Sequence, residues 1–186
     1  IRYAFEYAKA IGRPRVVVVH KSTIQRLADG LFVDVAKELS EQYPEIKFET
    51  ELIDNTVMNC VMHPDSYSDA VAVCPNLYGD ILSDLNSGLS AGSLGLTPSA
   101  NIGNEISIFE AVHGSAPDIA GKNKANPTAL LLSSVMMLEH MCLNEHYNKI
   151  QNAVLNTIAS SPENRTGDLG GSATTSSFTE AVIKNL

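Results

Sequence analysis

The chain has 186 residues, 44% of them hydrophobic and 18% charged, with a formal charge of −8 and no tryptophan. That length admits one or two domains, and that apolar fraction excludes intrinsic disorder as the main state. The balance of 21 Asp and Glu against 13 Lys and Arg argues against a nucleic-acid partner and an anionic membrane surface, which need a basic face, but leaves room for a small anionic substrate held by local cations or a metal.

The first residues, Ile1-Arg2-Tyr3-Ala4-Phe5-Glu6-Tyr7-Ala8, have the period of an amphipathic helix interior. The expectation is a fragment whose beginning is missing. That helix should end near Gly12, before Arg13-Pro14. The β-branched run at 15–20 reads as a buried strand. From 23 to about 42 the period is helical, with Ile24, Leu27, Leu31, Val35 and Leu39 on one stripe. A strand is expected at 46–53, a helix at 55–62, a short strand at 70–74 and a helix at 77–89. Residues 88–103 are rich in Gly, Ser, Ala, Pro and Asn and read as a loop. A short strand at 106–109 and a second loop at 113–127 follow. Helices then fill 128–141, 145–159 and a terminal piece from Ser177, capped by Ser176 or Ser177 with Glu180 in a capping box. Alternating strand and helix signals point to an α/β layered fold.

Cys60, Cys74 and Cys142 lie far apart without a CxxC, which speaks against a zinc cage or a disulfide framework. The longest apolar runs, 16–19, 71–74 and 129–132, fall far short of the ~20 residues of a membrane span.

Three features carry chemistry. In Asn76-Leu77-Tyr78-Gly79-Asp80-Ile81-Leu82-Ser83-Asp84, a helix would stack Asp80 and Asp84 at i and i+4. Two such carboxylates suit Mg²⁺ or Mn²⁺; a solvated acidic face is the plainer alternative. Asp54, expected at the carboxyl end of a strand, would bring a third aspartate to the same metal, or simply cap a helix. Lys21 leaves the apolar strand and either snorkels to solvent or serves as a proton-transfer group. The glycine-bearing loops at 88–103 and 113–126 permit close backbone approach to phosphate, or merely link domains; neither G-x-G-x-x-G nor a P-loop is present.

Longer motifs carry a likeness. Asn76 to Asp84, with Leu96-Thr97-Pro98-Ser99-Ala100-Asn101-Ile102-Gly103 and Phe109-Glu110-Ala111-Val112-His113-Gly114-Ser115-Ala116-Pro117-Asp118-Ile119-Ala120-Gly121, resembles the isocitrate/isopropylmalate dehydrogenases. The resemblance covers the whole chain, as the carboxy-terminal half of a longer subunit. His20-Lys21-Ser22-Thr23-Ile24-Gln25-Arg26 and Lys124-Ala125-Asn126-Pro127-Thr128-Ala129 point within the family to the catalytic, mitochondrial, NAD-dependent isocitrate branch.

That resemblance implies a two-domain α/β fold distinct from the Rossmann fold and incomplete at its N-terminus. Residues 1–91 would belong to the small, dimer-forming domain, and residues 92–186 to the large domain with the NAD-binding loops. It implies NAD-dependent oxidative decarboxylation of isocitrate to 2-oxoglutarate and CO₂ in the tricarboxylic acid cycle, assisted by Mg²⁺ or Mn²⁺, in the mitochondrial matrix. Lys21 matches the proton-transfer lysine, and Asp54, Asp80 and Asp84 match the metal-site aspartates. His113, Gly114, Ser115, Ala116, Asp118, Ile119 and Asn126 match the adenosine-binding loop. Asp168, in Arg165-Thr166-Gly167-Asp168-Leu169-Gly170-Gly171, matches a motif near the cofactor. Homologous subunits would share sites, with Lys21 and Asp54 working opposite a partner's aspartates. The substrate-gripping arginines and serine and a tyrosine of the family's site would lie upstream of Ile1, so the chain alone is expected to be inactive. The rival readings are 3-isopropylmalate dehydrogenase, a non-catalytic regulatory subunit, and an inert interaction fragment.

Overall fold

Four consecutive valines, Val16 to Val19, are at most 2% exposed and form the middle of β1 (Arg15–His20). A strand apolar on both faces belongs between two neighbours in a covered parallel sheet. β1 pairs in parallel with β2 (Lys47–Leu52) on one side and β3 (Ala70–Val73) on the other, giving the order β2-β1-β3. A computed structural model describes residues 1–90 and 92–186, with Leu94 through its backbone alone.

The chain divides into two compact units, Ile1–Asn86 and Ser87–Leu186. The expected domain boundary falls at Ala91, which lies outside the described residues.

In the first unit, the pleat sends alternate valines to opposite faces. Val16 packs with Phe5 and Ala8 of α1 (Arg2–Ala10) and with Tyr43 and Ile46. Val17 and Val19 pack with Cys60 of α3 (Ile53–Met62) and Leu82 of α4 (Asn76–Ser90). Arg15 ties the strands together, with Nη1 donating to Glu49 Oε2 at 2.7 Å and Nη2 to Asp69 Oδ1 at 2.8 Å, and a further bond to the Ser66 carbonyl.

α2 spans Ala28–Ser40, five residues shorter at its start than the period predicts. The Lys21 carbonyl accepts from the N–H groups of Ile24 and Gln25 at 2.9 and 2.8 Å, so residues 21–27 form turns instead. The predicted stripe does not enter the core: Leu27 is 91% exposed, Ile24 71% and Leu31 65%, while small Ala36 is the fully buried apolar position. α3 follows β2 without a loop, which moves Asp54 from the predicted strand exit into the first turn of a helix.

In the second unit, β4 (Pro98–Ile102) and β5 (Ser107–Ala111) form an antiparallel pair in register from Pro98↔Ala111 to Ile102↔Ser107. β4 lies inside the stretch predicted as loop. Its turn requires Gly103, where a Cβ would sit 2.7 Å from the Ile106 carbonyl oxygen. α5 (Thr128–His140) covers the pair. Fully buried Ser133 joins all three elements: its Oγ lies 2.7 Å from the Glu110 carbonyl and 2.8 Å from that of Ala129, and accepts the Ser99 N–H at 3.2 Å.

α6 (Asn144–Ala159) and α7 (Thr175–Lys184) complete this core through Ala153, Val154, Phe178 and Val182. The cap of α7 is Thr174 and not the predicted Ser176 or Ser177. Thr174 Oγ1 accepts the Ser177 N–H at 3.1 Å while Ser177 Oγ accepts the Thr174 N–H at 2.9 Å, so the box closes on a serine and leaves Glu180 outside it. Among the described residues no helix is long and apolar enough to cross a membrane.

Candidate functional site

Ligand sites in open parallel sheets gather beyond the carboxyl ends of the strands. In the first unit those ends carry Lys21, directly after β1, and Asp54, two residues after β2. Lys21 Nζ and Asp54 Oδ1 are 2.5 Å apart, with 26% and 59% of their side chains exposed. The Lys21 hydrogen bond holds the Asp54 carboxyl below its usual range.

The backbone beneath Lys21 is also fixed. Its N–H donates to Oδ2 of buried Asp29 at 2.6 Å, and the Ser22 N–H donates to His20 Nδ1 at 3.1 Å. Burial, and then a hydrogen bond to the same Asp29, push the Tyr78 hydroxyl up. Lys21 is therefore presented by a built turn, in contrast to a lysine trailing into solvent.

Asp80 and Asp84 stand one turn apart on the exposed face of α4. No ion pair among the described residues involves either carboxylate. Within the chain, no three His, Cys, Asp or Glu side chains among the described residues come together to hold a metal. Among the described residues Asp54, Asp80 and Asp84 do not form such a cluster within the chain, and Asp54 is engaged with Lys21. Asp80 and Asp84 do fit a hard divalent cation, offering two exposed carboxylates without a competing cation among the described ion pairs.

The second unit holds a cavity of about 930 Å³. Its walls come from the loops at 113–126 and 167–175, together with Gly95. Of the predicted cofactor residues, His113, Gly114, Ser115, Ala116, Ile119, Asn126 and Asp168 line it, whereas Asp118 does not. Ala116 takes a left-handed conformation, φ 40° and ψ 62°, that turns the chain into the short 3-10 turn Pro117–Ile119. Such a conformation is uncommon for a residue with a Cβ and gathers at ligand sites.

Asn126 and Asp168 meet across the loops, with Asn126 Nδ2 donating to Asp168 Oδ2 at 2.9 Å. Burial pushes the Asp168 carboxyl up, but hydrogen bonds from Thr166, Asn126 and Ser93 outweigh it and hold the group below its usual range.

The predicted cofactor residues left out Gly95, residues 120–121 and 123–125, Gly167 and the wall at 171–175. Lys124 is the lysine among the described lining residues. The Gly170-Gly171 pair was the available signal: a Cβ on Gly171 would collide with the Arg165 and Pro162 carbonyl oxygens, so the chain folds back tightly at that rim.

The family model for isocitrate/isopropylmalate dehydrogenase matches residues 1–182. The chain is 81% identical over 186 residues to mitochondrial NAD isocitrate dehydrogenase subunit 2 of Saccharomyces cerevisiae, covering all of this chain and 50% of that protein. It is 56% identical to mitochondrial NAD isocitrate dehydrogenase catalytic subunit 5 of Arabidopsis thaliana, over 99% of this chain and 48% of the relative. It is 54% identical to a mitochondrial regulatory subunit of NAD isocitrate dehydrogenase from Dictyostelium discoideum, over 99% of this chain and 51% of the relative. The crystal structure of isocitrate dehydrogenase from Methylococcus capsulatus superposes with a TM-score of 0.93 at 43% identity, over 99% of this chain and 54% of that one. The chain spans about half the length of the curated relatives it matches.

Proposed function

Since this chain belongs to the isocitrate/isopropylmalate dehydrogenase family, we propose that it supplies the proton-transfer, metal and dinucleotide groups of a catalytic NAD-dependent isocitrate dehydrogenase subunit. That enzyme would convert isocitrate to 2-oxoglutarate and CO₂ in the mitochondrial matrix, as part of an assembly of homologous subunits with shared active sites. The mitochondrial NAD enzymes among its relatives support the cofactor and the compartment.

The observation that carries the catalytic reading is Lys21 Nζ 2.5 Å from Asp54 Oδ1 at the ends of adjacent parallel strands. Names do not separate the alternatives, because relatives called catalytic and regulatory are 56% and 54% identical. Chemistry does favour one of them. A protein that only binds an effector has no need of a lysine oriented by a buried aspartate, nor of two exposed carboxylates one helical turn apart.

Mg²⁺ or Mn²⁺ on Asp80 and Asp84, completed by Asp54 of a neighbouring copy, would polarise the substrate hydroxyl and carboxylate, and NAD would accept the hydride. Lys21 holds a proton at Nζ, kept in place by the Asp54 carboxylate. The carbon that loses CO₂ must take up one proton, and Lys21 is the donor or the last member of its relay. In the second unit, Asn126 offers an amide N–H, the backbone at Gly114 and Ser115 lets a nucleotide approach closely, and Ile119 gives an apolar surface. The cavity volume of about 930 Å³ is in the range of cofactor sites.

The test is Lys21→Met in the full-length, assembled enzyme. Loss of a general acid or base costs about 10²–10⁴-fold in turnover, so kcat should fall by that much while the KM for isocitrate changes little. A kcat within a few-fold of wild type overturns the catalytic reading and leaves the effector-binding alternative.

A further inference from the structure

The Asp168 carboxylate sits where a cofactor-binding residue is expected, yet three side-chain donors of the protein already hold it. Oδ1 accepts from Thr166 Oγ1 at 2.5 Å. Oδ2 accepts from Ser93 Oγ at 2.8 Å and from Asn126 Nδ2 at 2.9 Å. The donors come from three separate segments, 75, 42 and 2 residues away in sequence. Ser93 Oγ in turn accepts the Gly95 N–H at 3.1 Å. The junction is tight: a Cβ on Gly95 would lie 3.0 Å from Asp168 Oδ2 and 3.1 Å from Asn126 Cβ.

Asn126 is fixed from both ends. Its Oδ1 accepts the Thr128 N–H at 3.0 Å while its Nδ2 donates to Asp168. That pattern permits one orientation of the amide, because a flipped amide would set a donor against the Thr128 N–H and an acceptor against a carboxylate. Asn126 is 9% exposed and lines the cavity, and its amide has a second N–H beyond the one given to Asp168. Direct contact by Asp168 would also bring a carboxylate towards an anionic dinucleotide, and among the described residues no ion pair neutralises it.

We propose that Asp168 is a positioning residue of the dinucleotide cavity: it cross-links the segments around Ser93, Asn126 and Thr166 and acts on NAD through the Asn126 amide. This rests on the reading of the cavity as the NAD site. Asp168→Asn keeps the shape but turns an acceptor into a donor facing donors. The amide of Asn126 then loses its orientation.

The experiment is an NAD double-mutant cycle on the full-length, assembled enzyme, read by equilibrium dialysis. Asn126→Ala and Asp168→Asn should each weaken NAD about tenfold or more, as loss of a buried hydrogen bond does. The double variant should be no weaker than the poorer single, because both remove one interaction. Multiplying effects mean that Asp168 touches NAD itself, which overturns the proposal while keeping the cavity reading. An unchanged affinity in Asn126→Ala overturns the cavity reading and the proposal with it. Should Asp168→Asn fail to fold, Ser93→Ala decides. Ser93 does not line the cavity, so a weakening of about two- to fivefold, absent in the Asn126→Ala background, supports the cross-link. No effect of Ser93→Ala on NAD affinity contradicts it.

Discussion

Lys21 and Asp54 in the first unit meet as opposite charges at the ends of two strands, half in solvent, whereas Asn126 and Asp168 in the second meet inside a cavity wall tied by hydroxyl and amide donors. The first arrangement is positioned but open: the pair is fixed from below by Asp29, and the acidic groups on α4 have no third carboxylate among the described residues beside them in the chain. The second is closed upon itself, with each polar partner held by another. Charge exposed at a strand end suits a step in which a proton must leave. A carboxylate held by several hydroxyl and amide donors suits a pocket that must keep its shape for a large ligand. Under the proposed function, the contrast matches reaction in one unit and cofactor retention in the other.

Stability offers the bluntest way to test whether the units also stand apart energetically. Phe5 and Phe178 are both fully buried, each in the core of its own unit. Truncating a buried phenylalanine costs about 3–5 kcal/mol. Phe5→Ala and Phe178→Ala should each lower stability by that amount, with hydrogen-exchange protection lost mainly in the unit that carries the substitution. Equal loss in both units for either variant would mean that they share one cooperative core.

A smaller effect sharpens the electrostatic side. Burial, then a hydrogen bond to Glu51, push the Tyr67 hydroxyl up to about 12. Its Oη donates to Glu51 Oε2 at 2.7 Å. A folded value above the unfolded one, near 10, favours the neutral phenol. The stability from this contact is therefore complete below about pH 10 and lost as pH rises through about 12. Phenolate absorbance should lose one late-titrating tyrosine in Tyr67→Phe; an identical titration in both proteins would contradict it.

Local chemistry explains what could be read in advance. β1 was legible because four β-branched residues admit little else at that length. β4 was not, since Pro98-Ser99-Ala100-Asn101 has the composition of a loop and is a strand only because β5 pairs with it and Ser133 reaches its backbone. The start of α2 was misplaced because the period of Ile24 and Leu27 is helical, while the Lys21 carbonyl accepts the Ile24 and Gln25 N–H groups and the Lys21 N–H donates to Asp29, which draws this stretch into turns. At the site, residue types and motifs picked out one part of the cavity wall, His113 to Ala116 with Ile119, Asn126 and Asp168. No spacing could reveal that Lys21 would face Asp54, 33 residues on, or that Asp168 would be held by three protein donors. Those are products of tertiary pairing.

The division of labour between the units is tested most directly by binding Mn²⁺ and NAD to one variant of the full-length, assembled enzyme. Asp84→Asn removes a charged oxygen donor from α4 and leaves the cavity at 95–175 untouched. In the presence of isocitrate, electron paramagnetic resonance titration should show Mn²⁺ bound at least about tenfold more weakly, with NAD affinity unchanged by equilibrium dialysis. Mn²⁺ binding equal to wild type would contradict the account, because the carboxylates of α4 would then have no part in holding the metal.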